Sequence, residues 1–159
     1  MSDLISDGNT KVAWATSIAN ISAPTAAELT AATDWTTRLT PDGLKTDPTT
    51  ADVNTSSLAS TFDTNQPGRR SYVVELTFKR GSTPTEDNPF TTLTYGATGF
   101  IIVRRGVSYS TAFATGDKVE VYPVAAGEAQ NIAPAANEVS KFMSPLKVTS
   151  DPATRATVA

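Results

Sequence analysis

Between Arg69 and Arg80 the chain reads RRSYVVELTFKR, and side chains of two kinds alternate along it. Tyr72, Val74, Leu76 and Phe78 fall on one side; Val73, Glu75, Thr77 and Lys79 fall on the other. A period of two is that of a β-strand, whose successive side chains point to opposite faces. The stretch therefore predicts a strand with one buried face and one partly wet face. TGFIIVRRG (Thr98 to Gly106) and DKVEVYPVA (Asp117 to Ala125) repeat the signal. In the latter, Val119, Val121 and Pro123 share a face while Lys118, Glu120 and Tyr122 take the other. Pro123 brings no amide donor, which suits an edge or a bulge. A last run, VSKFMSPLKVT, is interrupted by Pro145 and reads as two short strands.

Two short helices are expected beside the strands. In TEDNPFTTLTYGATG, Asn88 can cap, Pro89 suits the first helical position, Phe90 and Leu93 share a face, and Gly96 can close the C-terminus. Thr25 and Glu28 have capping-box spacing ahead of Leu29. The chain of 159 residues holds 26 Thr and 22 Ala, and these favour a thin β structure because Thr prefers strands and neither residue fills a large core. Length fits one domain with arms.

From Thr40 to Pro67 turn signals recur at Pro41-Asp42-Gly43 and Asp47-Pro48, with sparse apolar residues at Leu44, Val53, Leu58 and Phe62. So long a connection reads either as a functional loop that orders against a partner or as a weak hairpin, Val53 to Phe62, of the same sheet. Charge is uneven as well. Residues 1 to 68 carry three basic and eight acidic groups, residues 69 to 125 seven and five, within a net charge of −3. The two parts could face each other between subunits, or the acidic groups could simply be solvated. The segment WATSIANISAPTAAELTAATDW, Trp14 to Trp35, carries only Glu28 and Asp34 as charges and reads as a strand or arm leading into a capped turn at a subunit boundary. The alternative is that both tryptophans cap the subunit's own core.

The chemistry available is narrow. The chain has no cysteine and no histidine, so disulfides, thiolate metal sites and the commonest general base are all excluded. Asp47, Asp52 and Asn54 lack the alternate spacing and closing Glu of a calcium loop. Gly106-Val107-Ser108-Tyr109-Ser110 lacks the second glycine of a nucleophile elbow, and Ser144-Pro145-Leu146-Lys147 matches Ser-x-x-Lys without partner motifs. The pairs Arg69-Arg70, Lys79-Arg80 and Arg104-Arg105 present one charge per face of a strand, a poor footprint for nucleic acid on an acidic chain. No cofactor is expected. MSDLISDGNTK has neither the basic start nor the apolar run of a signal peptide, so a cytoplasmic origin is expected and the sequons at Asn20 and Asn54 read as chance.

The order of phrases is more specific. KVAWATSIANISAPTAAEL, LTPDGL, VNTSSLASTFDTNQPGRRSY, LTFKR, TGFIIVRRG, GDKVEVYPV and NEVSKFMSPLKVTSDP follow one another over nearly the whole chain. In this succession the chain resembles the major tail proteins, or tail tube proteins, of long-tailed bacteriophages of actinobacteria. The resemblance implies a mainly β fold, a β-sandwich or barrel with one or two short flanking helices. It further implies a non-enzymatic virion subunit whose hexameric rings stack into a hollow, noncontractile tube for DNA ejection.

By position, the parts reaching neighbours would be an N-terminal arm of about residues 1–12, a long loop of about 40–67 and a C-terminal arm of about 150–159. Candidate contacts between subunits or rings are Trp14, Leu44, Val53, Leu58 and Phe62. Glu75 and Glu120 are candidates to face an acidic or neutral lumen, which would repel phosphate at close range; Arg104 or Arg105 facing inward would work against that. Implied partners are further copies of the chain, a tape measure protein in the lumen, tail terminator and tail tip proteins, and phage DNA in transit without specific binding. The resemblance implies no membrane, and a site of action in the virion tail, assembled in the host bacterial cytoplasm. An Ig-like capsid decoration or adhesion module would share the sandwich features and is the alternative.

Overall fold

A computed structural model describes residues 2–159. In chain order the elements are β1 (Thr10–Ala15), α1 (Ala26–Ala31), β2 (Thr33–Asp34), a 3₁₀ turn (Thr36–Arg38), β3 (Leu39–Asn54) and β4 (Asn65–Lys79). Then follow α2 (Asn88–Thr92), β5 (Thr98–Arg105), β6 (Lys118–Ala126), β7 (Gln130–Asn131), β8 (Lys141–Val148) and β9 (Ala153–Thr157). Every pairing is antiparallel, in the order β2-β1-β5-β6-β8-β4-β3, with β7 added to β8 and β9 to β6. This is the mainly β fold with two short helices that the alternating stretches predict.

The sheet turns back on itself at β6. Its first half, Lys118 to Val121, pairs with β9, and its last residues, Val124 to Ala126, pair with β8. Pro123 sits at the fork. Its carbonyl accepts from the Thr149 amide at 3.0 Å. Since a strand residue's N–H and C=O point the same way, its missing donor falls where the edge changes partner. Pro145 occupies the matching position on β8, between the residues paired with β7 and those paired with β6, and its carbonyl accepts from Gly127 at 2.8 Å. For this reason Lys141–Val148 is one continuous strand rather than the two short ones expected.

Two cores result, one on each face of the layer formed by β1, β5 and β6. Val12, Trp14, Ile101, Val103, Tyr122 and Val124 face Val74, Leu76, Phe78, Phe142 and Leu146 of β4 and β8. Ala13, Ala15, Ile102, Val119 and Val121 face the other way, against Ile18, Leu29 of α1, Phe113, Ala156 and Val158. Each large apolar side chain so buried contributes about 1.5–3 kcal/mol. An aromatic series runs through the first core. Trp14 stacks on Trp35 with centroids 5.4 Å apart, Trp35 meets Phe78 edge-on at 5.3 Å, Phe78 stacks on Phe142 at 5.3 Å, and Phe90 meets Phe142 edge-on at 5.1 Å. Gly99 makes room for it, because a Cβ there would lie 2.4 Å from the Trp14 ring.

The low charge of Trp14 to Trp35 has an internal cause at its buried positions, Trp14, Ala15, Ile18, Pro24, Leu29 and Trp35, whereas the Ala, Ser and Thr residues between them are largely exposed. β1 is buried on both faces, where an unpaired charge would be costly. The segment packs within its own chain, as the second of the two sequence readings has it.

Of the two helices only α1 has a side-chain cap. Thr25 Oγ1 accepts from the Glu28 amide, and the Glu28 carboxylate accepts from the Thr25 amide at 3.1 Å and the Ala19 amide at 2.8 Å, which hold its pKa below the ordinary value. In α2 the cap is Asp87, one residue before the expected Asn88. Asn88 instead accepts the Trp35 indole N–H at 2.9 Å. The Asp87 carboxylate takes Arg80 through both oxygens at 2.9 Å, as well as the Gly81 amide.

Those hydrogen bonds, the Arg80 one first, lower the pKa of Asp87 although burial opposes them. A depressed carboxylate contributes stability above its unfolded pKa of about 3.9 and loses it as pH falls through the folded value. Asp87→Asn should therefore cost about 1–3 kcal/mol at pH 7, and the difference from wild type should shrink toward pH 2. Urea midpoints across that range check this; a constant difference would refute it.

The terminal segments differ from the expected arms. Thr10 to Val12 belong to β1, and Ala153 to Thr157 form β9, with Ala156 and Val158 buried. The stretch 40–67 is mostly strand, and only about residues 55–64 form a connecting turn.

Candidate assembly surface

Strands β3 and β4 begin inside the sandwich and continue beyond it as a two-stranded arm. Leu44 pairs with Leu76 and is half-buried against the first core. From Asp47 to Pro67 both strands are exposed on both faces. Pairing continues nonetheless through Thr46↔Val74, Thr49↔Ser71 and Val53↔Gln66 to Asn54↔Asn65. The ten residues from Lys45 to Asn54 at about 3.3 Å each give a reach of about 33 Å. Thr55 and Thr64 close the tip through a backbone hydrogen bond of 2.9 Å and a hydroxyl contact of 2.8 Å.

Apolar side chains gather toward that tip: Leu58 is 107% exposed, Phe62 78% and Val53 49%. None of the three belongs to a core cluster. Pro41 and Pro48 are tolerated because β3 lies at the end of the strand order, with its outer edge unpaired. A bulge between Leu39 and Leu44 absorbs Pro41. Gly43 is required there, since a Cβ would meet the Thr77 carbonyl oxygen at 2.5 Å.

The remaining candidate residues separate. Trp14 is 4% exposed and stacked on Trp35, so its ring is not available to a neighbour. Glu75 lies on the outer face of β4, 3.9 Å from Lys45. Lys45, Lys79, Lys141 and Lys147 share that face with Glu75 and Asp47, so it is not acidic. Glu120 lies on the face of β6 that bears Tyr122, accepting the Tyr122 hydroxyl at 2.8 Å and Arg105 Nε at 2.8 Å. Burial and the nearby Glu120 carboxylate push the Tyr122 phenol up to about 12. The two glutamates therefore do not line one surface.

Beyond Tyr122, this face of β6 opens into a groove of about 520 Å³ lined by Val103, Arg105, Lys118, Val119, Glu120, Thr154 and Arg155. Lys118 Nζ donates to Thr157 Oγ1 at 2.6 Å. Arg155 is exposed and, among the described residues, makes no ion pair or side-chain hydrogen bond. Sequence reading found neither Lys118 nor Arg155, because isolated basic residues on short strands carry no motif.

The paired basic residues split between faces as strand geometry requires. Arg70 binds Asp151 at 2.9 Å and Arg80 binds Asp87. Arg105 reaches Glu120, whereas Arg104, on the opposite face, is 1% exposed. Its guanidinium donates to the carbonyls of Ser108, Thr111 and Ala112 at 3.0, 2.6 and 2.9 Å and to Asp117 Oδ2 at 3.0 Å, with Phe113 4.9 Å from its carbon. Arg104 thus organises the β5–β6 loop from inside. Ser144 and Lys147 point to opposite faces of β8, Ser144 buried and Lys147 exposed, so Ser-x-x-Lys is no catalytic pair here. Among the described residues no cluster of His, Cys, Asp or Glu could hold a metal ion, and no helix is long and apolar enough to cross a membrane.

The surface thus presents an arm, an unpaired strand edge and a charged groove. A family model described as "Phage tail tube protein" matches residues 1–159. No curated protein matches the chain. Among solved structures it is similar to a chain of the anti-feeding prophage (AFP) baseplate, a cryo-EM structure with 6-fold symmetry imposed. The TM-score is 0.58 at 10% identity, over 96% of this chain and 95% of that one. At that identity the likeness is one of fold. The family is structural and non-enzymatic, and its members are components of the virion tail. By the match over its whole length, the chain belongs to the phage tail tube protein family.

Proposed function

We infer that the chain is the repeating subunit of a tail tube, with copies joining edge to edge in hexameric rings that stack into a hollow conduit for DNA. The observation that carries this reading is the arm. A two-stranded ladder from Asp47 to Asn54, about 26 Å long, exposed on both faces and leading to Leu58 and Phe62, has no use within one subunit. The unpaired outer edge of β3 adds to it, because an open edge invites pairing and closed rings remove it. The six-fold symmetry of the AFP baseplate, whose chain shares the fold, agrees with six copies to a ring. A tape measure protein inside the tube, and terminator and tip proteins at its ends, complete the assembly. Specificity for long-tailed phages of actinobacteria rests on the succession of sequence phrases.

The lysines on the outer face of β4 and β8 bear on which surface lines the channel. A face with four lysines and two carboxylates would attract phosphate, so DNA passage favours another surface or one where these lysines pair across subunits. Purified protein should form striated hollow tubes in negative-stain images at high concentration. Persistent monomers across concentration and salt would sink the reading.

A further inference from the structure

We propose that the groove between β5, β6 and β9 is the seat for the arm tip of a second copy of the chain. The inference rests on the tube reading and names the surface that receives the arm. Charge complementarity carries it. The outer part of the arm, beyond Asp47 and Gly68, bears Asp52 and Asp63 and no basic residue, while Asp47 at the base is already 3.9 Å from Lys45. The groove bears Arg105, Lys118 and Arg155 against a single carboxylate, Glu120, which Arg105 and Tyr122 already satisfy. Two cations are thus left for an incoming acidic segment, and Arg155 has no partner of its own among the described residues.

Size and polarity agree as well. About 520 Å³ is space for a few side chains, and the arm offers Leu58 and Phe62 fully in solvent at its end. Val103, which shares the face of Arg105 and Glu120, lies beneath the charges. No arm residue lines the groove of its own chain, so the seat is open to another copy. Apolar anchors surrounded by charge pairs of opposite sign fix both affinity and register.

Reversing the arm's charges, Asp52→Lys with Asp63→Lys, should raise the concentration needed for tube formation about tenfold or more at low salt. Adding Lys118→Glu and Arg155→Glu to the same chain should restore it. Arg105 is left alone because it holds Glu120. The absence of cysteine allows a direct second measurement. A chain carrying Leu58→Cys and Thr154→Cys should give disulfide-linked ladders under mild oxidation, while either single variant stays unlinked. Normal assembly by the charge-reversed arm, or a double-cysteine chain no more linked than the singles, would overturn the seat while leaving the tube reading intact. Wild-type protein that never polymerises would overturn both. Salt-sensitive oligonucleotide binding that is lost with Lys118→Glu and Arg155→Glu, without cross-linking, would assign the groove to nucleic acid and refute the proposal.

Discussion

A chain in which Thr50 to Arg70 is replaced by a two-residue Asn-Gly turn is expected to remain folded and to lose tube formation entirely. None of the removed residues belongs to either core, and the pair Thr49↔Ser71 is kept as the new end of the hairpin. What the subunit loses is solvent-exposed ladder plus the Arg70–Asp151 ion pair, whose side chains are 53% and 71% exposed and worth about 0–1 kcal/mol. With about 2–4 °C per kcal/mol for a chain of this size, the thermal midpoint should move by no more than about 5 °C. Tyr72 is retained because its ring meets Tyr122 edge-on at 5.9 Å. Circular dichroism on heating, together with sedimentation of concentrated protein, separates the two effects. Tubes of ordinary length from the shortened chain would mean that the arm is not an assembly element.

Arg104→Met is expected to act in the opposite sense, on the subunit rather than on the assembly. Methionine has comparable length and fits the aliphatic path of the arginine, but it removes the donors to the carbonyls of Thr111 and Ala112 and leaves the Ser108 carbonyl and the Asp117 carboxylate with only the Thr111 and Ala114 amides. Breaking a buried pair in this way costs about 3–5 kcal/mol, enough to lower the midpoint by about 6–20 °C. Arg104→Lys should fall between, since one ammonium cannot reproduce the planar fork that reaches four acceptors. Hydrogen exchange should rise first between Gly106 and Gly116, the loop the guanidinium gathers. A variant within about 1 kcal/mol of wild type would show that the loop holds itself without Arg104.

The contrast between these two variants also explains what could be read from sequence. β4, β5 and β6 were legible because a buried face imposes alternation, and the capping box at Thr25 and Glu28 was legible because its geometry is local. β3 was not. Solvated on both faces over its outer part, it has no reason to alternate, and its prolines mimic turn signals on an edge where the missing donors are harmless. Pro145 misled for a related reason, since only tertiary pairing reveals that β8 changes partners there. Of the contact candidates, Val53, Leu58 and Phe62 stand exposed and remain proposals as contacts, Leu44 is half-buried at the base of the arm, and Trp14 lies in the core. An isolated tryptophan in a weakly charged segment does not distinguish a subunit boundary from an interior. Its stacking partner, Trp35, is brought to it by the fold. The sheet likewise brings Arg155 beside Lys118, so the groove had no linear signature.

The paired indoles have an optical consequence. Trp14 and Trp35 are the chain's only tryptophans, and they lie 5.4 Å apart with ring planes 16° from parallel, shut away from solvent. Two chromophores so placed emit from an apolar site and couple to each other. Their fluorescence and near-ultraviolet dichroism therefore follow the melting of each subunit and stay nearly blind to whether it is free or built into a polymer. Light scattering follows polymerisation instead, so one cuvette can resolve folding and growth as independent signals.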